Sequence, residues 1–489
     1  MFHDLTLKSV VSYIEVHLDE MLDSKHLAKI AGYDEDYFRR IFRVGTGQSP
    51  AQYVRTRRLS NAAFALRNSL KSITEIALDC GFASHDAFSR AFRFMLGQTP
   101  KAFRESSMVV RGVWIVPGMM APVIVQKEND KMVTHEIHSE GTVLYGVPKV
   151  SYFNDPPELT PFISSLRACL TYAGQSINYS RLLAGSGAAF RLMWNREMWD
   201  GGNVDILVSR LDPMEPINRA FSTAGRAGVF LQKKEGNKPE ITSLICREIN
   251  AGRPVIGFGI IGPPEACVIT GYRDNGDILL GWNYFQDFPE WKGSLDTDAC
   301  GYFIRRGWYE HSETLGVMAV GDAGPLPDEE VFLKNTLCLA AEMMEPHDVR
   351  QRAGGQAAFD AWEQALLDES QFPKNAPLPM LMERIMCQGD AFTMVSEGRA
   401  YAGQFFAEAA ERFPQFKSDL FGIAEDFRNE HQTAWKMPQY HVSLGMGEPQ
   451  ARALAQRENR EAIAALIRQC KELDNRALEK IRHLIEKMA

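Results

Sequence analysis

The stretch that decides the fold of the N-terminal part is residues 81–100, GFASHDAFSRAFRFMLGQTP. Its second half repeats an earlier segment, because residues 90–100, RAFRFMLGQTP, match residues 40–50, RIFRVGTGQSP, at an offset of 50. Upstream, residues 76–82, IALDCGF, match residues 27–33, LAKIAGY, at an offset of 49. Each copy therefore predicts a short helix, a glycine turn and a second helix, which is the helix-turn-helix arrangement.

Residues that favour helix starts flank the predicted helices. Asp34 and Ser84 can cap the second helix of each copy, because their side-chain oxygens can accept from backbone N–H groups of the first turn. Ser49 and Thr99 each precede a proline at the first position of a further helix. The helix that follows Ser49 is predicted to run to about Ser69 and to join the two copies. Four phenylalanines of the second helices are expected in the core: Phe38, Phe42, Phe88 and Phe92.

The distribution of charge favours contact with phosphate in this part of the chain. The whole chain has a formal net charge of −8, yet residues 1–107 hold 15 basic and 12 acidic residues. Between Tyr37 and Thr74 there are eight basic residues and no acidic one. A basic stretch on an otherwise acidic chain is typical of a module that binds nucleic acid, and a solvated helix face is the alternative.

The pattern G-F-x-S-x-x-x-F-x-R-x-F-R over residues 81–93, followed by G-x-T-P over residues 97–100, carries a family resemblance. With it, residues 5–105 closely resemble the DNA-binding domain of the AraC/XylS family of transcription regulators. The resemblance covers about a fifth of the chain. It implies two recognition helices, held by the linking helix, that read adjacent major-groove segments about one helical turn (~34 Å) apart.

The same resemblance assigns candidate contacts with DNA. Arginine can bind guanine through two hydrogen bonds, and a carboxylate can accept from the amino group of cytosine, whereas phosphate contacts position the protein without reading sequence. A solvated side chain or a salt bridge within the domain is the alternative for each residue. The first reading helix offers Glu35, Asp36, Arg39 and Arg40, and the second offers His85, Asp86, Ser89 and Arg90. The candidate phosphate contacts are Arg43, Arg55, Arg57, Arg58 and Lys101.

The middle of the chain changes to strand patterns. Residues 108–141 contain short apolar runs broken by Pro and Gly, and we expect a β-rich linker or edge hairpin there. Residues 142–323 predict an α/β domain, with helices at about 161–174 and 241–250. Three consecutive strands are expected at residues 255–260, 266–272 and 277–282, with a hairpin turn at residues 273–276 between the last two.

Segments 249–256, INAGRPVI, and 268–272, VITGY, resemble papain-like peptidases of the bacteriocin-processing type, and still more the related acyltransferase-like domain of butirosin biosynthesis. In that fold a Cys opens the first helix, a His begins a strand, and an Asp or Asn follows on the next strand, so that the Cys–His pair activates the nucleophile. In this chain Ser164 and Ser165 take the Cys position and Glu265 takes the His position. The resemblance therefore implies a papain-like, catalytically degenerate domain.

A vacated active site is a concave and partly apolar cleft, which suits a small-molecule effector. Aromatic walls could stack on an aromatic or cationic ligand, and a carboxylate could attract a cation. Packing in the core is the alternative for most of these rings. The candidate ligand-binding residues are Ser165, Cys169, Trp194, Glu265, Trp282 and Asn283.

The last part of the chain, residues 324–489, shows apolar stripes at helical spacing and predicts a helical bundle packed on the effector domain. The eight cysteines are scattered without a C-x-x-C pair, so neither a metal site nor a cofactor is expected. Neither a signal peptide nor a run of about 18 apolar residues is visible, which favours a cytoplasmic protein with no membrane contact.

These patterns predict a multidomain chain: an all-α double helix-turn-helix head over residues 1–107, an α/β papain-like domain over 142–323 and an all-α helical domain over 324–489. The predicted function is a transcription regulator, not an enzyme, that binds double-stranded promoter DNA and senses an effector. Two alternatives stay open: an acyltransferase or amide hydrolase fused to a DNA-binding head, and a regulator whose body binds a protein partner. A homodimer and contact with RNA polymerase are further expectations.

Overall fold

The computed structural model describes the chain from residue 10 to residue 488 with gaps. Its helices and strands form two groups on either side of residues 106–134, which we call the head (before residue 106) and the body (after residue 134). The other residues outside the described part are 1–9, 11–12, 15–16, 19, 21, 47–48, 69–70, 83, 97–98, 139–140, 153–155, 263, 288–294, 299, 442–446 and 489. Most of the predicted linker over residues 108–141 therefore lies outside the described residues.

The head contains two helix-turn-helix copies joined by a long helix. The first copy pairs α1 with α2, the second pairs α4 with α5, and α3 links them, as the repeat predicts. A short helix, α6, follows the second copy. The bounds are α1 Ser24–Ala31, α2 Glu35–Thr46, α3 Pro50–Asn68, α4 Ile73–Asp79, α5 His85–Leu96 and α6 Pro100–Glu105.

The predicted helix caps of the head are confirmed. The Asp34 carboxylate accepts from the N–H of Asp36 at 3.0 Å, and the Ser84 hydroxyl accepts from the N–H of Ala87 at 3.2 Å. Ser49 and Thr99 cap α3 and α6 in the same way, at 3.3 and 3.2 Å. These bonds satisfy backbone donors that a helix leaves free at its start, so each boundary follows from a few neighbouring residues.

Each copy of the head has its own hydrophobic core. Phe38 and Phe42 pack with Tyr53 of the linking helix in the first core. Phe88 and Phe92 pack with residues of α3, α4 and α6 in the second. All four phenylalanines are fully buried, as predicted.

The first part of the body combines antiparallel strands with helices. The predicted helix at 161–174 and the three predicted strands appear with small shifts in their ends, and the predicted turn at 273–276 joins the last two strands. The bounds are β1 His135–His138, β2 Gly141–Leu144, α7 Pro161–Tyr172, α8 Tyr179–Gly185, β3 Met193–Asn195, α9 Met214–Thr223, β4 Gly228–Gln232, α10 Lys238–Asn250, β5 Val255–Phe258, β6 Ala266–Arg273, β7 Ile278–Asn283, β8 Phe303–Arg306 and β9 Gly316–Val320.

The main sheet has eight strands in the order β1-β2-β6-β5-β9-β4, and β7 and β8 extend it from β6. All of its pairs are antiparallel. Helix α7 packs against β5 and β6, and α10 packs against β2, β6 and β9. Strand β1 falls at the end of the segment predicted as a linker, so that end of the segment belongs to the main sheet.

The C-terminal part is helical with one short hairpin. This hairpin, β10 and β11, pairs with β3 and forms a second, three-stranded sheet. The bounds are α11 Glu329–Met344, β10 His347–Val349, β11 Arg352–Gly354, α12 Gln356–Leu367, α13 Leu378–Arg412, α14 Lys417–Ala434, α15 Glu448–Leu454 and α16 Arg457–Lys487.

One large hydrophobic core spans the two parts of the body. It contains side chains of α7 and the main sheet together with side chains of α11, α13, α14 and α16. A second core forms around Trp194, Trp199 and Trp362 and joins the small sheet to the C-terminal helices. The segments before and after the boundary predicted at residue 323 thus contribute to the same two cores.

Candidate DNA-binding surface and effector cleft

The two candidate reading helices, α2 and α5, each bury one face and expose the other. Their phenylalanines face the cores of the head, so the residues around them on each helix face solvent. In a helix-turn-helix the first turns of the second helix meet the base edges, and these turns are accessible here. Asp36, Arg39, Arg40, His85, Asp86 and Arg90 are exposed, and Glu35 and Ser89 are half-buried.

Arg39 is held by a neighbour on the same helix. Its Nη2 lies 2.6 Å from Oε1 of Glu35, one turn earlier, and the two side chains are 53% and 35% exposed. An exposed pair of this kind contributes about 1 kcal/mol or less, so a guanine edge or a phosphate can replace the carboxylate. The Arg40 guanidinium lies 5.2 Å from the centre of the Tyr37 ring. Both arginines are therefore oriented at the surface without being buried.

Arg58 of the linking helix joins the two copies from inside. Its Nε donates to the carbonyl oxygen of Leu18 at 2.7 Å, and its Nη1 donates to that of Gly81 at 2.8 Å. Its Nη2 donates to the carbonyl oxygen of Glu20. The guanidinium is thus occupied by backbone of both copies, which corrects its assignment as a phosphate contact.

The other candidate phosphate contacts keep their place on the surface where the structure describes them. Arg55 on the linking helix and Lys101 on α6 are exposed. The side chains of Arg43 and Arg57 lie outside the described residues. Arg55 is therefore the described arginine of α3 that is open to a DNA backbone.

A second polar region lies in the body, around Glu265. Glu265 stands immediately before β6, Asp205 precedes a short turn, and Asp390 lies on α13. Burial, together with the nearby carboxylates of Asp205 and Asp390, raises the pKa of the Glu265 carboxyl to about 8. Burial also raises the pKa of Asp390, to about 7, with repulsion from Asp200. We call the region around Asp205, Glu265 and Asp390 the acidic cleft.

Arg191 is a positively charged residue that acts on the carboxyl groups of the acidic cleft. It lowers the pKa of Glu265 and of Asp205, against the effect of burial. Its side chain is buried, with Nη1 donating to the carbonyl oxygen of Ala188 at 2.9 Å and Nη2 to that of Val204 at 3.1 Å. Its Nε has no hydrogen-bond partner among the described residues. One guanidinium therefore faces several carboxylates.

A buried network fixes the position of Arg191. Its Nη2 also donates to Oγ1 of Thr160 at 3.3 Å, and that hydroxyl donates to Glu397 at 2.8 Å. The Tyr179 hydroxyl donates to the other oxygen of Glu397 at 2.6 Å. Thr160 precedes α7, Tyr179 begins α8 and Glu397 lies on α13. This network therefore links the first part of the body to the C-terminal helices.

A glycine-containing loop brings Asp205 towards α13. Asp200 accepts from the N–H of Gly202 at 2.8 Å and forms an ion pair with Arg352. At Gly201 the loop lies against α13 so closely that a Cβ would be 2.9 Å from Cε of Met386.

The residues that the sequence suggested in place of a catalytic Cys, and the neighbouring Cys169, are buried. Ser165 is fully buried, and its hydroxyl has no hydrogen-bond partner among the described residues. The neighbouring Ser164 donates to Glu158 at 2.9 Å. Cys169 is 2% exposed, and burial raises the pKa of its thiol, with a further contribution from Cys267. Nδ1 of His311 hydrogen-bonds to the carbonyl oxygen of Gly259 at 3.1 Å.

The remaining candidate ligand residues do not converge on one surface. Asn283 donates to the carbonyl oxygen of Ile261 at 3.1 Å and accepts from the N–H of Phe285 at 2.9 Å, so its amide is occupied. Trp282 points to the opposite face of β7, because neighbouring strand residues alternate, and its indole donates to Val147 at 2.9 Å. Trp194 is 2% exposed and packs in the second core against Trp199 and Trp362.

Two further features, a membrane-spanning helix and a metal cluster, are absent from the described part of the chain. None of its helices has the length and apolar character needed to cross a membrane. None of its groups of three or more His, Cys, Asp or Glu side chains is arranged to hold a metal ion.

Comparison with known proteins identifies the head. A family model described as a helix-turn-helix domain matches residues 27–106. The Tn10 TetD protein of Escherichia coli is 40% identical over 107 residues, which cover 22% of this chain and 78% of TetD. Regulatory protein SoxS of Escherichia coli K12 is 38% identical over 104 residues, which cover 21% of this chain and 97% of SoxS.

Among solved structures, the DNA-binding domain of AdpA in complex with a target DNA is 39% identical and covers 20% of this chain and 88% of its own, with a TM-score of 0.20. The similarity to TetD and SoxS extends over most of their lengths and about a fifth of this chain. The chain therefore belongs to the AraC-type helix-turn-helix family of DNA-binding transcription regulators.

Proposed function

We propose that this regulator combines its DNA-binding head with a body that senses a small molecule in the acidic cleft. The head reads sequence through α2 and α5, with Arg39, Arg40 and Arg90 as the principal base-reading side chains. The body, residues 142–489, binds the effector and shifts the head between two states. Such a shift requires that the effector bind one state more tightly than the other.

The observation that carries the sensing proposal is that the Asp205 and Asp390 carboxylates both act on the buried Glu265, with Arg191 as the cation that opposes them. Burying carboxylates is unfavourable unless they are paired or protonated, and the raised pKa values of Glu265 and Asp390 express that cost. A cation in the cleft would restore favourable pairing. We therefore propose a cationic effector, and a purely aromatic one has less support because Trp194 and Trp282 lie elsewhere.

We further propose that the body is a papain-like domain that no longer catalyses a reaction. Helix α7 packs on β5 and β6, with Ser165 in its second turn, Glu265 before β6 and Asn283 at the end of β7. In this arrangement Glu265 cannot act as the imidazole base that activates a nucleophile. The burial of Ser165 and Cys169, and the raised pKa of the Cys169 thiol, also support a binding role.

The test uses the full chain and two probes of equal length and opposite charge, 1,5-diaminopentane and pentanedioate. The DNA target is first selected from a random library. We expect the diamine to raise the melting temperature and to change the Kd for the selected DNA by about 5- to 150-fold, the usual range of coupling between sites. We expect no effect of pentanedioate, because the cleft repels anions.

Glu265→Gln should remove both effects of the diamine, whereas Glu240→Gln, an exposed carboxylate on α10, should leave them intact. A larger stabilisation by pentanedioate than by the diamine would contradict the cationic assignment. Failure to select any DNA sequence would contradict the function of the head. Thioester hydrolysis that disappears in Ser165→Ala, with the fold intact, would overturn the non-catalytic part.

A further inference from the structure

A cavity of about 220 Å³ opens between α8, α11 and the C-terminal end of α13. For comparison, an engineered cavity of about 150 Å³ in another protein holds benzene, so this one admits a somewhat larger molecule. The cavity lies where the first part of the body meets the C-terminal helices. It is separate from the acidic cleft in its residues, since it contains neither Glu265, Asp205 nor Asp390.

One wall of the cavity is apolar. It is lined by Phe332 and Leu333 of α11 and by Phe405 and Phe413, and the Phe332 and Phe405 rings pack edge to face at 5.9 Å. Leu326 also lines the cavity and is 53% exposed. This wall offers a surface for an aliphatic or aromatic group of a ligand.

One end of the cavity is positively charged. Arg181 and Arg412 both form ion pairs with the same oxygen, Oε2 of Glu329, at 2.9 and 3.0 Å. Two guanidinium groups thus share one carboxylate, which leaves one positive charge in excess. The Arg181 guanidinium lies 4.0 Å from the centre of the Phe332 ring, so the charged end adjoins the apolar wall. This end suits the carboxylate of a ligand, because guanidinium groups bind carboxylates in a defined geometry.

The other charged group of the cavity is negative. Glu408 lies one helical turn before Arg412 on α13 and lines the same cavity. It accepts from neutral donors: Nε2 of Gln404 at 2.9 Å, Nδ2 of Asn178 at 3.1 Å and Oγ of Ser180 at 3.4 Å. Among the described residues no Lys, Arg or His lies within ion-pair distance of its carboxylate. Glu408 is therefore available to pair with a cationic group of a ligand.

We propose that this cavity binds a free amino acid with an apolar side chain. The carboxylate would lie at Arg181 and Arg412, the ammonium group at Glu408, and the side chain against Phe332 and Phe405. Glu408 and Arg412 are about one helical turn (~5.4 Å) apart along α13. Their side chains are long enough to bend towards each other and to reach the adjacent ammonium and carboxylate groups of one molecule. An anion without an amino group would meet the uncompensated Glu408, and an amine without a carboxylate would meet the excess guanidinium.

The test measures binding to the full chain by isothermal titration calorimetry with L-phenylalanine and two analogues. The first analogue, 3-phenylpropanoate, lacks the ammonium group, and the second, 2-phenylethylamine, lacks the carboxylate. We expect each analogue to bind at least about 10-fold more weakly than phenylalanine, because a hydrogen-bonded charge contact is lost. L-Leucine is expected to bind and L-serine is not.

Two variants assign the charged groups. Arg412→Gln and Glu408→Gln should each weaken phenylalanine binding by about 10-fold or more. The matched control is Arg482→Gln, because Arg482 is also 51% exposed and pairs with a glutamate at 2.6 Å outside the cavity. Circular dichroism and the melting temperature without ligand establish that each variant is folded; should Arg412→Gln unfold, Glu408→Gln decides the question.

Three results would overturn the proposal. The first is that neither phenylalanine nor leucine binds at about 10 mM, a concentration on the order of the weakest useful dissociation constants. The second is equal affinity for phenylalanine and a singly charged analogue, and the third is unchanged affinity for phenylalanine in Glu408→Gln. The proposal does not depend on the acidic cleft. Glu265→Gln should leave phenylalanine binding unchanged, so failure at one site is distinguishable from failure at the other.

Discussion

Nη1 of Arg58 donates to the carbonyl oxygen of Gly81 at 2.8 Å and so connects the linking helix to the turn of the second helix-turn-helix copy. The same guanidinium holds the carbonyl oxygens of Leu18 and Glu20 in the first copy. One side chain of the linking helix therefore contacts both copies. Arg58 is therefore a residue that organises the head and is distinct from the candidate DNA contacts.

Arg58→Gln should destabilise the head by about 2 kcal/mol, because a charged donor to three carbonyl oxygens is lost. Its affinity for the selected DNA should fall, while the slope of log Kd against log salt concentration stays the same, since no phosphate contact is removed. Arg55→Gln is the matched control: exposed on the same helix, it should leave stability unchanged and reduce the slope by about 0.9. Hydrogen exchange of peptides from residues 24–105 reports the stability. A smaller slope in Arg58→Gln would show a phosphate contact instead.

Gly32 and Gly81 occupy equivalent positions in the repeat and have nearly the same φ, +71° and +72°. A Cβ at Gly32 would meet nothing within 4 Å, but one at Gly81 would lie 2.8 Å from Cζ of Arg58. Gly32→Ala should therefore cost about 1 kcal/mol of backbone strain, and Gly81→Ala should cost about 1–3 kcal/mol more. Hydrogen exchange of the two copies measures both. Equal losses would mean that Arg58 adapts to the methyl group without cost.

Arg39→Ala should relax the preference of the protein at one base pair and cost about 1–3 kcal/mol of specific affinity, since a bidentate contact with guanine is lost. Selection from a random DNA library, repeated with the variant, locates that base pair. Lys25→Ala, at an exposed position of α1 outside the reading helices, should leave the selected sequence unchanged. A uniform loss of affinity across all sequences would assign Arg39 to phosphate.

The buried cluster of Arg399, Glu430 and Asp474 should dominate the stability of the C-terminal helices. All three side chains are fully buried, with Arg399 at 2.8 Å from Asp474 and 3.3 Å from Glu430. Burial and the neighbouring Asp474 raise the pKa of Glu430 well above its usual range, and burial also raises the pKa of Asp474, so one guanidinium is shared by two carboxyl groups that resist being charged together. Asp474→Asn should therefore cost about 3–5 kcal/mol, and Glu430→Gln should be nearly neutral at acidic pH.

The pH dependence of this cluster has a defined sign. Because the pKa of Glu430 is higher in the folded than in the unfolded protein, the folded state binds more protons and loses stability as pH rises above about 4.5. Glu430→Gln removes this loss, so its stability relative to the wild-type protein should rise with pH above about 4.5, by up to about 1.4 kcal/mol per pH unit. Urea unfolding at several pH values measures the difference. A pH-independent difference would mean that Glu430 is charged in the folded state.

Binding of 1,5-diaminopentane in the acidic cleft should strengthen as pH rises towards 8. The diamine binds the charged form of Glu265, whose pKa is about 8, so below that pH each unit should raise the affinity by up to about tenfold. Calorimetry between pH 6 and 9 checks the trend, and Glu265→Gln should flatten it. Affinity that falls as pH rises over this range would contradict a cation held by Glu265.

The head follows closely from the sequence because its signals are local. Asp34 and Ser84 cap helices that start within three residues of them, and Gly32 and Gly81 reverse the chain within one turn. In the body, Asp274 and Asn275 of the turn at residues 273–276 have positive φ. Asp and Asn followed by Gly favour that conformation, so the local sequence predicts the hairpin without knowledge of the rest of the chain. Interactions between near neighbours are sufficient to fix these elements.

The sequence by itself determined the repeat, the helix caps, the principal strands and the DNA-binding family of this protein. The tertiary structure alone decided that Arg58 bonds to residues 40 positions before it and 23 after it, and that Arg399 pairs with Asp474, 75 positions away. It also decided that Asp205 and Asp390 act on Glu265, while Trp282 and Asn283 point apart. Contacts between distant segments depend on how the packed cores bring the elements together, and a residue's near neighbours carry no record of them.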